Sequence, residues 1–162
     1  MKRKTAIVAI CVTAMAGVMI SGCATPSGGA LNNPPEQKLL VQYSDPAFEE
    51  ALQQAGLKST YVEYWQSHGT RNWQRRYELE KFQRPVEEKF YVAYYGKAWV
   101  IRSMHVTDVK LTDGAASVGA AITFAHPDTL KDVVQILQDK WALVNGVWLH
   151  VVQDPMLSGF TQ

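Results

Sequence analysis

The sequence predicts an α+β domain in which N-terminal helices pack on a curved antiparallel β-sheet. Three observations predict it. Apolar residues recur at helical spacing between Phe48 and Tyr94. From Trp99 onward, β-branched and aromatic residues dominate and begin to alternate with smaller or polar ones. Two hairpin dipeptides, Asp113-Gly114 and Asn145-Gly146, fall in the second half. Helices first and a strand meander afterwards is the order of an α+β arrangement. The 162 residues suit one domain, and 47% apolar content supplies enough buried surface to offset ordering entropy. A formal net charge of +1 gives no basic footprint, so no nucleic-acid partner is expected.

The helical half begins at Asp45-Pro46, an N-cap followed by a residue suited to the first turn. Phe48, Ala51, Leu52 and Ala55 make one stripe. Gly56 either ends this helix or is carried inside it, since Tyr61, Val62 and Trp65 stay roughly in phase. Gly69 closes the section. A second helix is expected from Thr70 as N-cap through Trp73 and Tyr77 to about Lys81. A third starts at Pro85, presents Val86, Phe90, Ala93 and Tyr94 on one face, and stops at Gly96.

The strand half begins with Trp99 to Leu111. After Asp113-Gly114, the residues Ala116, Val118, Ala120, Ile122 and Phe124 alternate as in a half-buried strand, and His126-Pro127-Asp128 breaks it. The segment from Leu130 to Val144 also fits a helical stripe. A strand over Val133 to Val144 is preferred, because the tight Asn145-Gly146 turn requires an antiparallel partner for Val147 to Val152.

The first 22 residues stand apart. Lys2, Arg3 and Lys4 precede a 15-residue apolar run from Ala6 to Ile20, which ends in Ile20-Ser21-Gly22-Cys23. A basic start, an apolar run and small residues before a cut form a secretory signal. The run falls short of the ~20 residues that span a bilayer. Ile20-Ser21-Gly22-Cys23 resembles the bacterial lipobox at every position. That resemblance implies lipidation of Cys23, whose thiolate is the nucleophile that accepts the lipid. Ala24, not an aspartate, implies an outer-membrane destination facing the periplasm. Without the leader, thirteen basic residues face fifteen acidic ones, Cys11 is lost, and Cys23 is the sole cysteine. The expected organisation is a signal peptide over 1–22, a tether over 23–42, one α+β domain over 43–157 and a tail over 158–162. A Gly-, Pro-, Ser- and Asn-rich tether of this length reaches roughly 25 Å.

Tyr64-Trp65, Trp73 with Tyr77, Asp139-Lys140-Trp141 and Gly146-Val147-Trp148, in that order, resemble the nuclear transport factor 2-like superfamily, over about Asp45 to Asp154. The resemblance implies a conical α+β fold. Its enzymes place His, Asp and Tyr inside the cone, which makes His105, Asp108 and Tyr77 candidates, although His105 and Asp108, three apart, face opposite sides of a regular strand. Its other members include periplasmic parts of secretion and conjugation machines.

The remaining polar residues read as structural or surface groups. His68, His126 and His150 show no metal-ligand spacing, and neither metal nor cofactor is expected. Arg71, Arg75, Arg76, Lys81 and Arg84 read as a solvated face, with Glu78, Glu80, Glu87 and Glu88 among them. About half of the dense aromatics between Tyr61 and Trp99 belong to a core; the rest suit a pocket or an interface. The candidate binding residues are Tyr77, His105, Trp141 and Trp148. Trp148 is expected on an outer sheet face that meets an envelope protein or a second copy of the chain. The expected role is a lipid-anchored, non-enzymatic binding or assembly module of the envelope. The alternative is a small isomerase or hydrolyase using His105 in an internal pocket.

Overall fold

The computed structural model describes residues 38–129 and 131–158. The leader and Cys23 lie outside the described residues. The fold is α+β: helices pack on one face of a six-stranded sheet.

The order along the chain is β1 (Val41–Tyr43), α1 (Pro46–Gln54), α2 (Lys58–Gly69), α3 (Trp73–Glu78), β2 (Glu80–Lys81), α4 (Glu88–Tyr95), β3 (Val100–Thr112), β4 (Ala115–Ala125), β5 (Asp132–Val144), β6 (Val147–Val151) and α5 (Pro155–Ser158). The sheet order is β1-β3-β4-β5-β6-β2. The four long-range partners β3 to β6 form an antiparallel meander. The two short edge strands, β1 on β3 and β2 on β6, are parallel to their neighbours. Neither edge strand was anticipated from the sequence.

Local chemistry accounts for most boundaries. Asp45 caps α1 by accepting from the Ala47 N–H at 2.8 Å, with Pro46 in the first turn. Gly56 stands at φ +69, a left-handed conformation that ends the run, so α1 and α2 are separate helices. Asn145 and Gly146 both have positive φ, 51 and 80, as the tight β5–β6 turn demands. That turn selects strand over helix for β5, despite the helical stripe. Its inward positions then follow from its pairing with β4: Trp141 opposite Ala116, Asp139 opposite Val118 and Leu137 opposite Ala120.

Several sequence expectations are corrected. Thr70 does not cap the next helix. It closes α2, where its Oγ1 donates to the Gln66 carbonyl, and Asn72 caps α3 by accepting from the Arg75 N–H. The helix expected to reach Lys81 stops at Glu78, because Glu80–Lys81 pairs with β6. On α4 the inward residue is Tyr91, while Phe90 and Tyr94 are exposed. Leu39 is buried and Val41–Tyr43 is a strand, so the end of the stretch read as tether is part of the fold.

The main core lies between α1, α2 and the inner face of the sheet. Leu52, Tyr61, Tyr64 and Trp65 meet Met104, Val106, Val118, Ile122, Trp141 and Trp148 there. A second cluster joins Tyr91, Val152 and Leu157 with Tyr77, Phe82 and Tyr95. The site lies where these two clusters adjoin.

Candidate functional site

Arg76, Glu80, Asp139 and His150 are all at least nine-tenths buried and converge from four elements or their edges. Arg76 and Glu80 are one helical turn apart at the end of α3 and the start of β2. Asp139 and His150 face the same way because Trp141 pairs with His150 and Asp139 lies two residues from Trp141.

Hydrogen bonds tie Arg76, Glu80 and His150 into one network, and a longer charge contact adds Asp139. Arg76 donates to the Tyr64 hydroxyl at 2.6 Å and to His68 Nδ1 at 2.7 Å. The Tyr64 and Tyr91 hydroxyls donate to Glu80 Oε1 at 2.9 and 2.8 Å. His150 Nδ1 meets Glu80 Oε2 at 2.7 Å, and His150 Nε2 stands 3.7 Å from Asp139 Oδ1. The other Asp139 oxygen accepts from the Trp65 indole N–H at 2.9 Å. The guanidinium of Arg76 lies over the rings of Tyr64 and Tyr95, 4.5 and 4.4 Å from their centroids. Its Nε is buried without a hydrogen-bond partner.

The electrostatics divide the two histidines. Burial, followed by the neighbouring Arg76 charge, pushes His68 down to about 3, and the Trp99 carbonyl only partly opposes this. His68 is therefore neutral: Nδ1 accepts from Arg76, and Nε2 donates to the Trp99 carbonyl at 3.2 Å. Burial also works against protonation of His150, but the adjoining Asp139 and Glu80 carboxylates outweigh it, so its pKa is raised. Burial would raise Glu80, yet His150, Arg76 and the Tyr91 hydroxyl lower it below the ordinary carboxylate value. Burial opposes the charge of Arg76 as well, and its surrounding phenols and Glu80 hold it protonated.

The network forms one wall of a cavity of about 380 Å³. Tyr95, the segment from Ile136 to Gln138 and the segment from Val152 to Asp154 complete the lining. Volume and mixed lining match a small-molecule pocket, in which apolar walls carry a few convergent polar groups. Among the described residues, no group of three or more His, Cys, Asp or Glu side chains is placed to hold a metal ion.

The expected site residues lie elsewhere or play other parts. Tyr77 packs in the second cluster, and its hydroxyl donates to the Val86 carbonyl at 2.7 Å. His105 is exposed on the outer face of β3, opposite Ala121. Asp108 shares that face, contrary to the spacing, because an irregularity between Val106 and Asp108 inserts a residue and resets the alternation. The internal His105 site is thus corrected: His105, Tyr77 and an acid do not converge. Trp141 is a core residue whose ring packs edge-on against Tyr64 and His150. Trp148 is also in the core, donating its indole N–H to the Ala55 carbonyl at 2.9 Å, so it is not an outer-face contact.

The sequence held a signal for the residues it did not single out. Trp148, His150 and Val152 share one side of β6 and its extension, and a strand that buries Trp148 also buries His150. For Arg76 and Glu80, the surrounding exposed charges masked a buried pair.

No family model matches the chain, and no curated protein matches it. Among solved structures, the chain is similar to a SEC-C motif containing protein from Rhodopseudomonas palustris, with a TM-score of 0.48 and 8% identity over 65% of this chain and 88% of that one. It is also similar to a putative NTF2-like transpeptidase from Campylobacter jejuni, with a TM-score of 0.35 and 13% identity over 62% of this chain and 97% of that one. At these scores neither likeness bears on what this chain does.

Proposed function

We propose that this chain is a lipid-anchored protein of the bacterial envelope whose domain is a non-enzymatic binding module, taking a small ligand into the cavity beside His150. The cavity carries this reading. Four ionisable side chains are buried around it. A domain that needed only stability would gain as much or more from apolar residues in those places, since buried ion pairs often fail to recover their desolvation cost. The anchoring rests on the leader and on Ile20-Ser21-Gly22-Cys23, which set Cys23 as the lipidated residue. The element order, helices followed by a long antiparallel meander, favours placing the domain with the nuclear transport factor 2-like superfamily.

Binding is favoured over acid–base chemistry by the state of His150. Its Nδ1 is committed to Glu80, and its Nε2 faces a second carboxylate. An imidazolium pinned between two carboxylates lacks the free lone pair of a general base.

A fragment screen on the full chain, read by thermal shift, tests the binding reading. Ligands of the cavity should raise the melting temperature of the native chain and not of a Leu137→Trp variant, whose indole fills the space. A screen without a single cavity-dependent ligand would refute it.

A further inference from the structure

We propose that the cavity selects a small organic cation, an ammonium group on an apolar body. This rests on the binding reading above and adds the charge and hydrogen-bonding character of the ligand.

Tyr64, Tyr91, Trp65 and Arg76 each donate a hydrogen bond within the protein. Arg76 donates from its terminal nitrogens to Tyr64 and His68, and its guanidinium lies over the rings of Tyr64 and Tyr95. Arg76 is buried as a whole, and its Nε is sealed from solvent. The Tyr64 and Tyr91 hydroxyls point to Glu80, and the Trp65 indole N–H points to Asp139.

What stays open is a set of acceptors. Asp139 Oδ1 has His150 Nε2 as its near neighbour at 3.7 Å, beyond hydrogen-bond range. Asp154, also in the lining, accepts from the Tyr94 hydroxyl and the Met156 N–H, both neutral donors. Three carboxylates (Glu80, Asp139 and Asp154) therefore face two cations, Arg76 and His150, and the lining keeps an excess of negative charge with His150 fully protonated. An anion would meet that excess of carboxylates. An ammonium ion finds two carboxylates.

Calorimetric titration of the full chain with three probes of one shape tests the sign. The probes are 2-phenylethylamine, 2-phenylethanol and 3-phenylpropanoate. The amine should bind about tenfold or more tightly than either of the others, and Asp139→Asn and Asp154→Asn should each erase much of that preference. Asp154 is only half-buried, so its variant keeps the test intact even where Asp139→Asn fails to fold. Equal or tighter binding of the alcohol or the carboxylate would overturn the cation assignment and leave the binding reading standing. No binding of any probe, alongside cavity-dependent neutral or anionic fragments in the thermal screen, would also overturn it. A blank result in both experiments would remove the binding reading as well.

Discussion

Arg76 and His68 form a buried pair in which a permanent cation donates, at 2.7 Å, to the bare nitrogen of a neutral imidazole. The pair is stable because His68 is denied its proton. Arg76 is in turn balanced by Glu80, reached through the Tyr64 hydroxyl that accepts from one and donates to the other. One arginine thus reinforces burial in keeping a histidine neutral on one side and helps ionise a carboxylate on the other.

Replacing Arg76 should therefore act on two observables at once. Arg76→Met keeps much of the apolar stem but leaves Glu80 short of a compensating charge in a buried site. The expected loss is about 3–5 kcal/mol, the usual cost of breaking a buried pair by removing one partner. The His68 pKa should rise from about 3 as the adjacent charge disappears, part of the way to its ordinary value, because burial, the larger cause, remains. Urea unfolding reads the first effect and a proton NMR titration of the imidazole reads the second. A variant of native stability, or an unmoved His68, would contradict this account of the network.

The two histidines give opposite pH dependences. His68 has its folded pKa below the unfolded value of 6.5, so its contribution is complete above that value and is lost as pH falls from there toward about 3. Glu80, also lowered, adds to the acid loss below its unfolded value of 4.5. His150 is raised, so its contribution is complete below 6.5 and is lost as pH rises through its folded pKa. Unfolding midpoints in urea should therefore peak near neutrality and decline on both sides. A midpoint that climbs steadily into the alkaline range would show that His150 is not held protonated by Glu80 and Asp139.

The fold was legible where one local rule decided the geometry. Asp45-Pro46, the Asn145-Gly146 turn and the alternation from Ala116 to Phe124 each survive unchanged in the structure. The Asn145-Gly146 turn even settled β5 against its own helical periodicity, because pairing with β6 outweighs a stripe. The site was less legible, for two physical reasons. An irregularity of one residue in β3 turned Asp108 to the face of His105, and spacing cannot foresee an inserted residue. Arg76 and Glu80 were hidden by composition: Arg75, one residue away, pairs in the open with Glu63 and Glu78, whereas Arg76 points inward. A sequence shows the charges of α3 and not which of them the helix turns toward the core.

Trp148 distinguishes core from interface. It is 7% exposed, and its indole N–H satisfies the Ala55 carbonyl beyond the end of α1. Trp148→Glu should unfold the domain rather than dissociate an assembly, since losing a buried aromatic costs about 3–5 kcal/mol before the new charge is counted. Val147 and Ile136 point away from the helices, 54% and 69% exposed. Val147→Glu and Ile136→Glu should each leave stability within about 0.5 kcal/mol of the native chain. Circular dichroism melts separate the cases. A folded Trp148→Glu protein would mean that the strand face is assigned the wrong way round.

Cys23 carries the anchoring proposal, and its replacement tests localisation independently of the cavity. A diacylglyceryl group at Cys23 would hold the chain by two acyl tails, each buried CH₂ contributing about 0.8 kcal/mol, and two chains bind stably where one holds only marginally. Among the described residues no helix is long and apolar enough to cross a membrane, so the folded domain supplies no helical substitute for such an anchor. Cys23→Ala should leave the precursor uncut before residue 23 and abolish incorporation of labelled palmitate, while cavity ligands still raise the melting temperature of the solubilised chain. A Cys23→Ala protein that is processed at that site and still carries lipid would refute the lipobox reading of Ile20 to Cys23.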